Sequence, residues 1–241
     1  MKKTKFIALV LVVAIGLMGA GYAAWTESFT VNNSMSSGQL KIELSKANAS
    51  SEVDFNSQAV KAADLIDNLV VADTEIKGNV AKFAIDNMYP GTQFITSLRA
   101  ENKGTLPAVI NEITVNTVAK DARGKKITNS KLQEAIRVDY EFVIRQKGSH
   151  RARKTIEGND VSLAELKTVL SQQLIGQYIG ADEELTRKSE DERLGYNVTF
   201  KIPQDGLNNV NGKNEGENEK VEVEIIFDFV QHNVFDKTFQ Q

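Results

Sequence analysis

The chain has 241 residues, 41% hydrophobic and 25% charged, with 16 Gly, 3 Pro, no Cys and a formal net charge of −3. That composition excludes collagen-like and wholly disordered chains. The lack of Cys excludes disulfide frameworks, thiolate metal sites, cysteine nucleophiles and a lipid anchor on an N-terminal cysteine. Two histidines, His150 and His232, leave little for a catalytic triad or a histidine metal cage, and the acidic balance supplies no global field toward nucleic acid.

The first segment reads as an address. Met1 to Lys5 is positively charged, Phe6 to Met18 is apolar, and Gly21 and Ala23 supply the small residues that a signal peptidase accepts. The expectation is a signal peptide over 1–23, cleaved after Ala23, with Ala24 as the near alternative. An uncleaved anchor is the competing reading, since 20 uncharged residues from Phe6 to Trp25 are long enough to span a bilayer. Small residues ending the apolar run favour cleavage. Loss of Lys2, Lys3 and Lys5 takes the net charge from −3 to −6. The remainder, 24–241, suits a single domain, exported and soluble, touching a membrane only through the leader before cleavage.

Strand signals then follow in order. Ser28–Val31 is a short candidate. Leu40, Ile42 and Leu44 alternate with polar residues, and Val80–Ile85 and Phe94–Glu101 are further weak strands. Val109, Ile113, Val115 and Thr117 are read as one face, opposite Ile110, Glu112, Thr114 and Asn116. Ile136, Val138, Tyr140, Phe142 and Ile144 share a face, as do Tyr196, Val198, Phe200 and Ile202, and Val221, Val223, Ile225, Phe227 and Phe229. One wet and one buried face is the antiparallel pattern. Eight such strands predict a mainly β fold, a two-sheet antiparallel sandwich of jelly-roll type with one or two inserted helices. Tyr89-Pro90-Gly91 and Asn102-Lys-Gly104 read as turns. Helical spacing marks Ala59–Val71 and, more strongly, 161–178, where Ser162 and Glu165 form a capping box and Leu163, Leu166, Leu170 and Leu174 a stripe. Ala181–Arg193 and Gly206–Glu219 read as solvated loops.

Catalytic motifs for zincins, nucleophile elbows and phosphate or dinucleotide loops are absent from the sequence. Asn209, Asn211 and Gly212 fall at calcium-loop spacing, but Leu207 occupies the first ligand position, leaving a weak calcium candidate beside Glu215, Glu217 and Glu219. Lys147, Arg151, Arg153 and Lys154, with His150, form a basic run that suits a polyanion contact; the plainer reading is an exposed loop between a strand and a helix. No aromatic interleaves it for base stacking. His232 reads as a strand-end edge residue. Asp182, Glu183, Glu184, Glu190, Asp191 and Glu192 cluster on a loop, without the rigid, apolar setting a glycosidase pair requires. The expectation is no enzyme and no cofactor.

The N-terminal pattern is more specific. Gly19-Ala-Gly-Tyr-Ala-Ala-Trp-Thr-Glu27, Phe29-Thr-Val31 and Ser37-Gly-Gln-Leu40 resemble the TasA/camelysin family of Gram-positive bacteria, exported proteins processed by a SipW-type signal peptidase. Met88-Tyr-Pro-Gly91 resembles that family's turn, with Thr92 in place of its acid. Glu101-Asn-Lys-Gly-Thr-Leu-Pro107 and Phe229-Val-Gln-His-Asn233 resemble two more of its stretches. The resemblance implies a jelly-roll subunit of extracellular biofilm-matrix fibres, whose mature N-terminal segment completes the next subunit's sheet. It also allows an accessory assembly protein. The residues permit this independently: 24–31 is short and partly apolar, and Trp25, Phe29 and Val31 would enter pockets along an open edge. Such contact is heterologous and grows as an open filament. A monomeric adhesin or carbohydrate-binding jelly roll is the alternative, though Tyr140, Phe142, Phe227 and Phe229 are expected to face inward. The metalloprotease activity ascribed to some family members is not carried over, since no histidine pair is present for zinc.

Overall fold

The computed structural model describes residues 38–55, 58–61, 71–86, 88–188, 197–207 and 218–233, short pieces at 209–210, 213–214 and 216, and residues 5, 7, 10–15 and 17. The chain divides into two compact units, Met1–Ser37 and Gly38–Gln241. In the first, residues 10–15 of the apolar run are helical. Among the described residues no helix is long and apolar enough to cross a membrane. Ala23 and Ala24, and the candidate strand 24–31 with Trp25, Phe29 and Val31, lie outside the described residues.

The second unit is mainly β, with two antiparallel sheets. In chain order it runs through β1 (Ile42–Phe55), β2 (Gln58–Lys61), β3 (Val71–Lys77), β4 (Val80–Asp86), β5 (Thr92–Asn102), β6 (Ala108–Lys120) and β7 (Lys126–Ile127). Helix α1 (Lys131–Ala135), β8 (Arg137–Gln146), β9 (Lys154–Ser162) and helix α2 (Leu163–Leu174) come next. Then follow β10 (Tyr178–Ile179), β11 (Glu183–Thr186), β12 (Val198–Lys201), β13 (Asn209–Val210), β14 (Lys213–Asn214) and β15 (Lys220–Gln231). One sheet places β9 beside β8, then β11 and β12 end to end, then β5, β1 and β2. The other places β10 and β7 on β6, followed by β15, β4 and β3.

Alternation is what joins the sheets. Phe94, Leu98, Val138, Phe142 and Phe200 from the first meet Phe83, Ile85, Ile113, Val223 and Phe227 from the second in one core. Phe83 and Phe200 touch across it with ring centroids 5.1 Å apart. Tyr140, Phe142 and Phe227 are buried as their alternation requires, and Phe229 is half-buried against the core. The Pro90-Gly91 turn forms: Gly91 has φ 84°, Thr92 N–H donates to Tyr89 O at 3.0 Å, and the Thr92 hydroxyl donates to the same oxygen at 2.6 Å. Thr92 thus closes the turn with its own side chain.

Helix α2 starts where the capping box puts it. Ser162 Oγ accepts from Glu165 N–H at 3.3 Å and donates to Glu165 Oε2 at 2.7 Å, and Leu163, Leu166, Leu170 and Leu174 are all buried. The helix is shorter than 161–178, because Val161 and Ser162 end β9 and Tyr178 begins β10.

Other expectations are corrected. Ala59–Lys61 is not helical but pairs with β1 as the return strand of a hairpin, and 62–70 lie outside the described residues. Ile110 is not on the wet face. Register slips between Asp228 and Phe229 on β15 opposite Glu112 and Ile110, so the extra Asn111 bulges and turns Ile110 into the core, fully buried. Part of the 181–193 loop is strand β11, and part of the 206–219 loop is the β13–β14 hairpin.

Candidate functional site

The chain enters β1 through a clamp built from the turn after β5. Thr105 and Leu106 N–H groups donate to Gln39 O at 2.8 and 3.2 Å, Lys103 N–H donates to Lys41 O at 2.8 Å, and Gln39 N–H donates to Thr105 Oγ1 at 2.9 Å. Asn102, 1% exposed, holds the turn's shape: its amide donates to Leu106 O (2.9 Å) and Ile179 O (3.1 Å) while its oxygen accepts from Gly104 N–H (2.9 Å). Glycine is required at 104, since a Cβ there would sit 2.2 Å from Gln39 O and 2.6 Å from Lys41 N. The stretch 101–107, singled out in the sequence, is thus the fixture that holds Gln39 and Lys41 at the entry to β1.

Beyond that clamp two strand edges are left unpaired by the described residues. β1 pairs with β5 from Ile42 to Val53, but β2 covers its other edge only from Glu52 to Phe55. Among the described residues no strand pairs with that edge between Ile42 and Ser51. Among the described residues β3 pairs with β4 alone. These two edges belong to different sheets and lie side by side: Lys46 Nζ donates to Thr74 O and stands 3.5 Å from Asp73, and Thr74 Oγ1 lies 3.2 Å from Thr96 Oγ1. Ile42, Ala72 and Ile76 on these strands are half-buried against the core. Asn48 forms a bulge in β1, a device that discourages indiscriminate edge pairing.

A second feature lies on the outer face of the first sheet. β11 and β12 occupy one strand position between β8 and β5, and 189–196 between them lie outside the described residues. Asn197 bridges the break: its oxygen accepts from Leu98 N–H and its amide donates to Leu98 O, both at 2.7 Å, so a side chain replaces a missing peptide in the ladder. Beside it lies a cavity of about 410 Å³. Arg145 (4% exposed) donates through Nε to Glu184 Oε1 at 2.9 Å, and Glu184 (2%) also pairs with Arg99. Arg99 reaches Glu101 Oε2 at 3.1 Å, and Lys147 Nζ lies 2.6 Å from Glu101 Oε1. Hydrogen bonding from Lys147 holds the Glu101 carboxyl below its usual range, aided by the charge of Arg99 and against the opposing effect of burial. Removing one partner from such a buried chain strands the charge of the other.

The remaining sequence candidates disperse. The basic run lies between β8 and β9, so it joins two strands instead of a strand and a helix. Lys147 faces the cavity. Arg153 instead binds Glu183 through Nε and Nη2 (3.0 and 2.9 Å), with its guanidinium carbon 5.6 Å from the Tyr178 ring centroid. Arg151 is exposed, and Lys154 opens β9. His150 is exposed; His232, also exposed, packs edge-on against Tyr178 at 5.2 Å. Asn209 pairs with Asn214 in the β13–β14 hairpin, while Asn211 lies outside the described residues. Glu219, offered as a calcium ligand, instead accepts from Ser130 Oγ at 2.5 Å and Leu132 N–H at 3.3 Å at the start of α1. Of the clustered carboxylates, Glu183 and Glu184 stand on β11 against arginines, and 190–192 lie outside the described residues. Sequence reasoning missed Arg99, Arg145 and Asn197. The signal was present only as charged residues at every second position of apolar strands, which is also how an ordinary solvated face reads.

No protein-family model matches the chain, and no curated protein is similar to it. The fold and the two sites therefore carry the functional argument.

Proposed function

We propose that this chain is an exported structural subunit of jelly-roll type that polymerises head to tail, the segment 24–31 of each processed copy adding a strand to the open flank of the next. The observation that carries this reading is the pair of edges that no described residue pairs with, β1 from Ile42 to Ser51 and the outer edge of β3, lying side by side with half-buried Ile42, Ala72 and Ile76 along them. An added strand would satisfy their N–H and C=O groups, and alternate side chains of 24–31, namely Trp25, Phe29 and Val31, would cover the apolar positions. The jelly-roll reading is supported by a chain that alternates between the sheets, from β1–β2 to β3–β4, to β5, to β6–β7, to β8–β9, and finally to β15.

A SipW-type signal peptidase would then act as the switch, since the leader holds segment 24–31 at the membrane until cleavage after Ala23 or Ala24. The product assembles outside the cell, in a matrix or on a surface. The motifs that resemble the TasA/camelysin family point the same way. Electron microscopy of the processed chain against one beginning at Asn33 tests the reading. Fibres from the first and none from the second are expected; equal fibre formation by both would reject it.

A further inference from the structure

We propose that Glu27 of one copy pairs with Lys46 of the next and so fixes the register of the added strand. This inference rests on the strand-addition reading above and names the contact that would make it specific. Lys103 N–H donates to Lys41 O, which sets the alternation along β1. Lys41, Glu43 and Ser45 turn their main chain toward β5, and Ile42, Leu44 and Lys46 turn theirs outward. The side chains of those last three share one face. Leu44 is buried in the core, Ile42 is half-buried against it, and Lys46 reaches Thr74 O and Asp73 of the other sheet. The β3 edge is already occupied at its midpoint, since Thr74 O accepts from Lys46 and Thr74 N–H donates to Asp73 Oδ1 at 2.7 Å. β1 is therefore the receiving strand.

A lysine on the inner face of an edge strand discourages indiscriminate pairing, because an added strand without an acid would desolvate its ammonium group. Lys46 Nζ carries three donors. Thr74 O takes one, and Asp73 stands 3.5 Å away with its own oxygen already holding Thr74 N–H. The Lys46 side chain is 46% exposed, so a new acceptor can reach it. As a strand, segment 24–31 carries Trp25, Glu27, Phe29 and Val31 on one face, a single acid among three apolar residues. The two patterns match when the strand runs antiparallel, as every described pairing in this sheet does. Glu27 opposite Lys46 then brings Phe29 opposite Leu44 and Val31 opposite Ile42. Trp25 falls opposite the bulge at Asn48, where the regular stretch of β1 ends. A slip of two residues either way sets Glu27 against Leu44 or the bulge and takes its cation away. One charge pair among apolar pairs is thus a register device.

The critical concentration for polymerisation of the processed chain, measured by sedimentation with electron microscopy of the pellet, tests the pairing. Glu27→Lys sets two ammonium groups against each other and should raise that concentration by roughly tenfold or more. Lys46→Glu opposes two carboxylates and should do the same. An equimolar mixture of the two variants should polymerise like the unsubstituted chain, because each variant's strand matches the other's edge. Asp205→Lys makes an equal charge change at an exposed turn and should leave the critical concentration as it is. Glu27 lies in the added segment, so its variant keeps the test open if Lys46→Glu unfolds. Equal polymerisation of the Glu27→Lys and unsubstituted chains, or a mixture of folded variants no better than either alone, would overturn the pairing and leave strand addition standing. Absence of fibres from the unsubstituted chain would overturn strand addition and the pairing together.

Discussion

Asn197 and Asn102 do with side-chain amides what the backbone does elsewhere. Each is buried and bonded at both ends of its amide, Asn197 by two bonds to Leu98 and Asn102 by bonds to Leu106, Ile179 and Gly104. Asn197→Ala removes both of its bonds and leaves a strand break unbridged, so a loss of about 2 kcal/mol is expected. A lower urea midpoint at unchanged slope is the readout. Gly104→Ala pushes a methyl into Gln39 O and Lys41 N, which are backbone on both sides and cannot swing away. A cost of about 1–3 kcal/mol follows, with faster amide exchange at Thr105 and Leu106 as its local signature. The turn at Asn102-Lys-Gly104 was legible in the sequence, but the bonds of Asn102 to Ile179 and of Asn197 to Leu98 were not, because only the position of a distant partner reveals them.

At the scale of elements, the legible parts were those where burial and period agree. The faces of β8, β12 and β15 and the leucine stripe of α2 follow directly from the spacing of apolar residues. Ser162→Ala should cost about 1 kcal/mol by removing the cap of α2, a loss measurable by thermal melting. The failures have equally specific causes. One inserted residue, Asn111, shifts the period so that Ile110 reads as wet although it is buried. β11 carries Glu183 and Glu184, which look solvated until Arg153, Arg145 and Arg99, contributed by β5 and the β8–β9 hairpin, are brought to them. β2 is four residues long, too short for alternation to compete with the helical spacing that continues past it.

The whole molecule should be sensitive to acid in a defined direction. Hydrogen bonding from Lys147 and from Lys120 holds Glu101 and Glu222 below the ordinary glutamate value of 4.5. The folded state therefore favours their ionised forms more than the unfolded state does. Their stabilisation is complete above 4.5 and is lost as pH falls from there through the folded-state values. Melting temperature should fall on acidification in that window, and Glu222→Gln should flatten the slope. The proposed assembly belongs to the same scale, because an edge that no described strand covers gains its partner only when another copy supplies one. The most direct measurement is amide hydrogen exchange of the processed chain, read residue by residue before and after polymerisation. Slowed exchange along β1 from Ile42 to Ser51 or along β3 from Val71 to Lys77 is predicted in the polymer; exchange as fast there as in the monomer would contradict strand addition at this flank.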